Sequence, residues 1–176
     1  MLGNIHKIAI IGGPGAGKST LAKNLGKQLN LPVYHIDGIN YFKNWKKRNT
    51  GERDKIILEK VNELRWIIDG TYKSTLEIRV QNADLIIFLN YSTIAKIKGI
   101  LSRYIKNRGK EKEEISGCKE KMDIEFLRFT INWNKTKREF VKEILDRNKE
   151  KNIMIFKNRK QLNKWYEKEF SEKMEI

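Results

Sequence analysis

Cysteine is almost absent. Cys118 is the only one in 176 residues, so neither an intramolecular disulfide nor a cysteine cage for a metal can form. No histidine stands near it in sequence, and it reads as an incidental thiol in a loop rather than a nucleophile. His6 and His35, the only histidines, have no ligand partners at metal spacing. No apolar stretch approaches the roughly 18 residues of a membrane span. The N-terminus lacks the charged, apolar and small-residue succession of a secretory signal. These two absences predict a soluble, cytoplasmic protein. Internal repeats and low-complexity tracts are missing as well.

Acidic residues are also in short supply, 22 Asp and Glu against 37 Lys and Arg, for a net charge of +15 and a pI near 9.8. The excess is spread along the chain and is mostly Lys mixed with Asn, Ile and Glu. It is read as compositional bias plus attraction for phosphates, and it permits nucleic-acid contact without demonstrating it. A hydrophobic fraction of 39% with 10% aromatics suffices for a core, and 34% charged residues imply a polar surface rather than disorder. A chain of this length buries one core and is too short for two ordinary domains, so residues 1–176 are expected to form a single domain.

The run Gly12-Gly13-Pro14-Gly15-Ala16-Gly17-Lys18-Ser19-Thr20 fills every fixed position of G-x-x-x-x-G-K-[ST], directly after the apolar stretch Ile8 to Ile11. Backbone N–H groups can cradle a triphosphate only where side chains do not obstruct the approach, and glycines remove the obstruction. Lys18 is then placed to reach the β- and γ-phosphates. Ser19 offers a hydroxyl to Mg²⁺, and a helix starting near Lys18 directs its positive dipole end at the anion. ATP and Mg²⁺ are the expected cofactors, and no further metal is expected.

Short apolar runs at Ile5 to Ile11, Pro32 to Ile36, Trp66 to Asp69, Asp84 to Asn90 and Asn152 to Phe156 read as strands. Three- and four-residue apolar spacing predicts helices over Lys18 to Leu29, Arg53 to Leu64, Ser74 to Asn82, Thr93 to Asn107, Asp123 to Asn148 and Lys160 to Phe170. Such β/α alternation predicts a doubly wound α/β domain with a parallel sheet covered on both faces. Ligands in these sheets sit beyond the carboxyl ends of the strands. Arg108 to Lys121 shows no apolar periodicity and reads as a mobile, lid-like loop.

Phosphoryl transfer requires a phosphate cradle, Mg²⁺, a carboxylate to orient metal or acceptor, and mobile cations over the transferring group. Asp37 and Asp69 end the second and third strands. One of them accepts the acceptor's proton while the other holds Mg²⁺ through water, and the spacing alone does not assign the roles. Arg103, Arg108 and Arg128 flank the lid-like segment as candidate phosphate clamps; Arg79 is a weaker one. Tyr41, Phe42, Lys43, Trp45, Lys46, Lys47 and Arg48 interleave aromatic and basic residues, which suits either stacking on a base or an aromatic mini-core with a basic rim. An ATP-driven motor is disfavoured, because the fourth strand runs into Asn90-Tyr91 instead of a carboxylate.

These residues resemble the adenylate-kinase-like group of phosphate-loop kinases, and more closely the bacterial topology modulation protein (FlaR-like) family. The resemblance rests on the stretch Ile10 to Thr20, on Leu31-Pro32-Val33-Tyr34-His35-Ile36-Asp37, on Trp66-Ile67-Ile68-Asp69-Gly70-Thr71-Tyr72, on Ala83 to Leu89 and on Asp123-Ile124-Glu125-Phe126-Leu127-Arg128. It implies a five-stranded parallel sheet in the order 2-3-1-4-5, a short lid and an acceptor-binding segment over Asp37 to Leu64. By the same resemblance Asp69 helps hold Mg²⁺ through water, and Asn158 and Arg159 fall where related kinases contact adenine. The chain departs from adenylate kinases at Thr71-Tyr72-Lys73, where they carry Phe-Pro-Arg, so AMP is not carried over as acceptor. Asn90 also replaces an expected Asp. The expectation is an ATP-dependent kinase for a nucleotide or other small acceptor; a nucleotide-switched nucleic-acid-binding regulator is the alternative.

Overall fold

In a computed structural model, which describes residues 2–112, 114–120, 122–171 and 174, the chain runs through β1 (Lys7–Gly12), α1 (Lys18–Leu29), β2 (Val33–His35), α2 (Ile36–Asn40), β3 (Tyr41–Phe42), a 3-10 turn (Lys43–Trp45) and β4 (Lys46–Lys47). It continues with α3 (Thr50–Val61), β5 (Trp66–Asp69), α4 (Lys73–Asn82), β6 (Leu85–Leu89) and α5 (Thr93–Asn107). Then follow β7 (Glu111–Lys112), β8 (Ile115–Lys119), α6 (Ile124–Thr136), α7 (Arg138–Arg147), β9 (Ile153–Phe156) and α8 (Arg159–Phe170).

Five strands form one parallel sheet in the order β2-β5-β1-β6-β9. Counted among themselves along the chain, these strands run 2-3-1-4-5. Two unforeseen hairpins, β3-β4 and β7-β8, shift the numbering of the later strands. Alternate residues of the central strands face opposite layers, as the period of two requires. Ile8, Ile10, Ile67, Leu85, Ile87 and Leu89 join Leu21 and Leu25 of α1 and Leu162 and Tyr166 of α8. Ala9, Ile11, Trp66, Ile68, Ile86 and Phe88 join Ile57 of α3, Leu76 and Val80 of α4, and Val141 and Ile144 of α7. Burial on both faces explains why β5 and β6 read as unbroken apolar runs. Among the described residues no helix is long and apolar enough to cross a membrane.

Two expectations about local structure are corrected. The stretch expected as one helix from Asp123 to Asn148 is two, α6 and α7, meeting at Lys137, which is at once the C-cap of α6 and the N-cap of α7, with φ −116° and ψ −28°. The bend lets Trp133 of α6 and Val141, Ile144 and Leu145 of α7 bury in the same layer. The lid-like segment Arg108 to Lys121 is largely a hairpin rather than a loop, with positions 113 and 121 lying outside the described residues. Its periodicity was hidden because strand β8 buries only Ile115 and Cys118, one on each side of the exposed Ser116 and the turn glycine Gly117.

Candidate active site

Register brings the site together at the carboxyl end of the sheet. Ile10 and His35 pair on either side of Asp69, and Gly12 pairs with Leu89, so the loop after β1 emerges beside the ends of β2, β5 and β6. That loop needs its glycines. Gly15 has φ 71° and Gly17 has φ 90°, a left-handed geometry that favours glycine. A Cβ on Gly15 would lie 2.2 Å from the backbone oxygen of Lys96. Gly17 caps α1, whose first residue is Lys18, so the amides of the first turn open toward the loop.

Lys18 is half-buried, and its Nζ donates to the Gly13 carbonyl at 3.1 Å. Burial pushes its ammonium below the usual lysine range, while the fields of Asp69 and then Asp37 act to hold the proton. Lys18 thus lies in the field of both strand-end carboxylates without an ion pair to either among the described residues. Asp69 is only 3% exposed. Its Oδ1 lies 3.2 Å from His35 Nδ1, an ion-pair distance without hydrogen-bond alignment, and its Oδ2 has no hydrogen-bond partner among the described residues. Asp37 is exposed in the first turn of α2, where its Oδ1 accepts a 2.8 Å bond from the Tyr72 hydroxyl. Burial, then the Asp37 charge and this bond, raise the Tyr72 phenol far above its ordinary value.

The turn Gly70-Thr71-Tyr72 joins these parts. Thr71 Oγ1 accepts from the Gly12 amide at 3.0 Å and donates to the Gly12 carbonyl at 2.9 Å, fastening the turn to the start of the loop. Arg79, treated above as a weak phosphate contact, supports the turn from beneath. It is 0% exposed and donates to the carbonyls of Gly70 at 2.9 Å and Tyr72 at 3.2 Å. Burial drags its guanidinium down to about 10. It is therefore a positioning residue. Arg53 adds a second support, lying 4.7 Å over the Tyr72 ring and bonding to Asp54, Asn40 and Ser74.

The remaining candidates divide. Arg103 on α5 lies close enough to depress Lys18, and it pairs at 3.0 Å with Glu120 just after β8. Arg108 and Arg128 are exposed, and neither takes part in a hydrogen bond or ion pair among the described residues. Asn158 is occupied as the N-cap of α8, accepting from Gln161 N at 2.9 Å. Arg159 reaches across to the Gly15 carbonyl at 3.5 Å. Ser19 stands in the first turn of α1. No group of three or more His, Cys, Asp or Glu among the described residues forms a metal cage. A loop hydroxyl and a buried carboxylate with one orphaned oxygen suit a Mg²⁺ that keeps waters and takes its other ligands from phosphates.

The aromatic and basic cluster is a mini-core with a basic rim. Tyr41 and Trp45 meet edge to face at 5.3 Å, Arg48 lies 4.1 Å over Phe42, and Lys112 of the β7-β8 hairpin lies 5.3 Å over Trp45. Asn44 and Trp45 both take left-handed backbone, with φ 58° and 61°, uncommon for any side chain and more so for tryptophan. The hairpin holds them there. Trp45 N donates to Cys118 Sγ at 3.1 Å and Trp45 Nε1 to the Lys119 carbonyl at 3.2 Å. Cys118 is consequently buried and structural, not an incidental loop thiol. Glu114 of the same hairpin pairs with Lys23 of α1 at 3.3 Å, and its carbonyl lies 2.3 Å from where a Cβ on Gly38 would stand. The hairpin thus closes over α2 and the Asp37 side of the site.

Residues on α5 were not foreseen. A Cβ on Gly99 would come within 2.1 Å of the Gly15 carbonyl, and the Lys96 side chain runs across Gly13. Both belong to the wall of the phosphate loop. A lysine and a glycine in an amphipathic helix give no sequence signal of that role.

A family model described as ATPase family associated with various cellular activities (AAA) matches residues 8–90, from β1 through the end of β6. Comparison with curated proteins finds no match. Among solved structures, shikimate kinase from Acinetobacter baumannii in complex with shikimate is similar at 15% identity and a TM-score of 0.62, covering 99% of this chain and 98% of that one. Deoxyadenosine kinase from M. mycoides with bound dATP is similar at 20% identity and a TM-score of 0.55, covering 95% and 100%. Shikimate kinase from Bacteroides thetaiotaomicron follows at 17% identity and 0.56, covering 96% and 99%. At these identities the likeness is one of fold, and the chain has the phosphate-loop NTPase fold in the form that kinases also use.

Proposed function

We propose that the protein is an ATP-dependent phosphotransferase, of the adenylate-kinase-like kind related to topology modulation proteins, moving the γ-phosphoryl group of Mg-ATP to a small hydroxyl- or phosphate-bearing acceptor. The observation that carries this reading is the placing of Asp37 and Asp69 at the carboxyl ends of β2 and β5, beside the glycine loop that carries Lys18 and beneath one hairpin. A transferring phosphoryl group needs charge stabilisation on one side and an oriented nucleophile on the other. Lys18 leaves the Gly13 carbonyl for the phosphates. Ser19 and Asp69 would hold Mg²⁺, which would supply charge neutralisation to the phosphates. Asp37, open to solvent and oriented by Tyr72, receives the acceptor's proton as the acceptor oxygen bonds to Pγ and the bond from Pγ to the β-bridging oxygen breaks, releasing ADP. Arg103 is carried on the element that leads into the hairpin and supplies a cation as the site closes.

The kinase-like solved structures support this reading through fold. The net charge of +15 permits a second one, in which nucleotide occupancy switches contact between the basic surface and nucleic acid. Against hydrolysis-driven work, β6 runs into Asn90, an amide whose buried Oδ1 has no hydrogen-bond partner among the described residues, where a motor would place a carboxylate. ATP consumption with Mg²⁺ against nucleoside monophosphates, nucleosides, small metabolites and short oligonucleotides separates the two. One acceptor class should stimulate turnover, Lys18→Ala should abolish it with the fold intact, and Asp37→Asn should lower turnover more than ATP affinity. Uniformly slow hydrolysis, with nucleic-acid binding that weakens steeply in salt, would transfer the assignment to the switch.

A further inference from the structure

Lys96 is 0% exposed, yet it has no acidic partner among the described residues. Its stem crosses the phosphate loop so closely that a Cβ on Gly13 would lie 2.7 Å from its Cδ and 2.9 Å from its Nζ. Nζ donates to Asn134 Oδ1 at 2.8 Å and lies 4.6 Å over the Trp133 ring. The Asn134 amide is fixed in that orientation, because its nitrogen donates to Thr93 Oγ1 at 3.1 Å and to the Tyr91 carbonyl at 3.4 Å.

The charged groups that face Lys96 from the packed elements are both cations, Lys18 from α1 and Arg138 from α7. Arg138 Nε is itself buried without a hydrogen-bond partner among the described residues. Two ammonium groups therefore meet at one loop residue, Lys18 at the Gly13 carbonyl and Lys96 beside its Cα, with no carboxylate in ion-pair contact with either among the described residues. Burial first, then Lys18 and Arg138, hold the Lys96 ammonium down to about 8. An apolar side chain of the same length would fill this space without burying a charge among like charges. Lysine belongs there if an anion completes the group.

We propose that Lys96 is a second phosphate-binding lysine of the loop, whose ammonium is completed by the polyphosphate of the bound nucleotide and takes up a proton as that anion arrives. This rests on Gly12 to Thr20 being a triphosphate site and deepens that reading, whatever the acceptor. An anion beside Lys96 favours its charged form, so nucleotide binding raises its proton affinity. At a pH above the free group's midpoint, binding and protonation are then linked. Affinity falls by up to about tenfold for each pH unit above that midpoint.

The test is titration of the wild-type protein with Mg²⁺ and the non-hydrolysable imido analogue of ATP at pH 9, where the γ-phosphate is already fully ionised. Calorimetry in buffers of differing ionisation enthalpy counts the protons, with adenosine as the phosphate-free control. We expect nearly one proton taken up per analogue bound and none with adenosine. Lys96→Met keeps the apolar stem; it should abolish the uptake and weaken binding at pH 7 by about tenfold or more. Binding without proton uptake in the wild type overturns the proposal and leaves the triphosphate reading standing. Uptake that survives Lys96→Met and disappears in Lys18→Met assigns the proton to Lys18 and overturns it equally. No binding of the analogue overturns both. The wild-type measurement stands even if the variant does not fold.

Discussion

Replacing Arg79 by methionine removes the support beneath the turn that carries Asp69, Thr71 and Tyr72. The side chain is wholly buried, and two of its three hydrogen bonds leave its own helix, to the carbonyls of Gly70 and Tyr72. Each carbonyl left without a donor in the interior costs about 1–3 kcal/mol. Removing a cation that burial has already dragged down to about 10 recovers part of that. The net expectation is a loss of about 3 kcal/mol, or about 6–12 °C in Tm for a domain of this size. Arg79→Lys keeps the charge but cannot span both carbonyls with one ammonium, and it should lose about half as much. The comparison variant is Arg108→Met, whose guanidinium is exposed and has no partner among the described residues; it should leave Tm unchanged. Thermal and urea unfolding measure the series. Arg79→Met within about 0.5 kcal/mol of wild type would refute the reasoning, since the turn would then be held by its other contacts, Thr71 on Gly12 and Tyr72 on Asp37.

Two more predictions concern the hairpin and alkaline pH. Gly38→Ala places a methyl where the Glu114 carbonyl stands, 2.3 Å away, so it should lift the hairpin from α2. Amide exchange at Ile115 to Lys119 should accelerate by about tenfold or more with exchange in β1 and β6 unchanged; equal protection in both proteins would show that the contact does not hold the hairpin. Stability should rise with pH from about 8 toward 10. Lys96 is depressed in the folded state to about 8 from an unfolded value of 10.5, so the unfolded chain binds more protons across that window and loses ground as pH climbs. Tyr91, pushed up to about 12, acts in the opposite direction only above its unfolded value of 10.0. Lys96→Met should show a shallower rise in urea stability between pH 8 and 10, and identical slopes would refute the Lys96 contribution.

What the sequence disclosed follows the range of the forces involved. The sheet was legible because β1, β5 and β6 are buried on both faces, so local composition reports the whole environment. The loop was legible because its constraint is local too, a backbone path near an anion that glycine and one lysine satisfy within a few residues. The hairpins were not. Each contains a strand of two residues, too short for a period, and their geometry depends on partners far away in sequence, such as Trp45 on Cys118 and Gly38 on Glu114. The α6-α7 break falls at Thr136-Lys137-Arg138 without glycine or proline, so nothing local marks it. Arginines show the same division from the other direction. Proximity to a lid-like segment singled out Arg108 and Arg128, which are exposed, while the buried Arg79 and Arg53 hold the turn and its tyrosine.

The arrangement around the loop also constrains what can move. The α5 backbone meets Gly15 at Lys96 and Gly99 with no room for a Cβ on either glycine, and the other end of the loop is tied to Thr71 by two hydrogen bonds. A loop clamped at both ends presents its amides without reorganising, which is the condition under which fixed dipoles stabilise developing charge most effectively. The β7-β8 hairpin is attached to α1 by the Lys23–Glu114 ion pair, to α2 by the close contact at Gly38, and to the turn before β4 by the Trp45 bonds to Cys118 and Lys119. Its cation Lys112 and the neighbouring Arg103 both act on Lys18. The hairpin that covers α2 therefore also adds positive charge to the field at Lys18, on the side of the loop opposite its α5 wall.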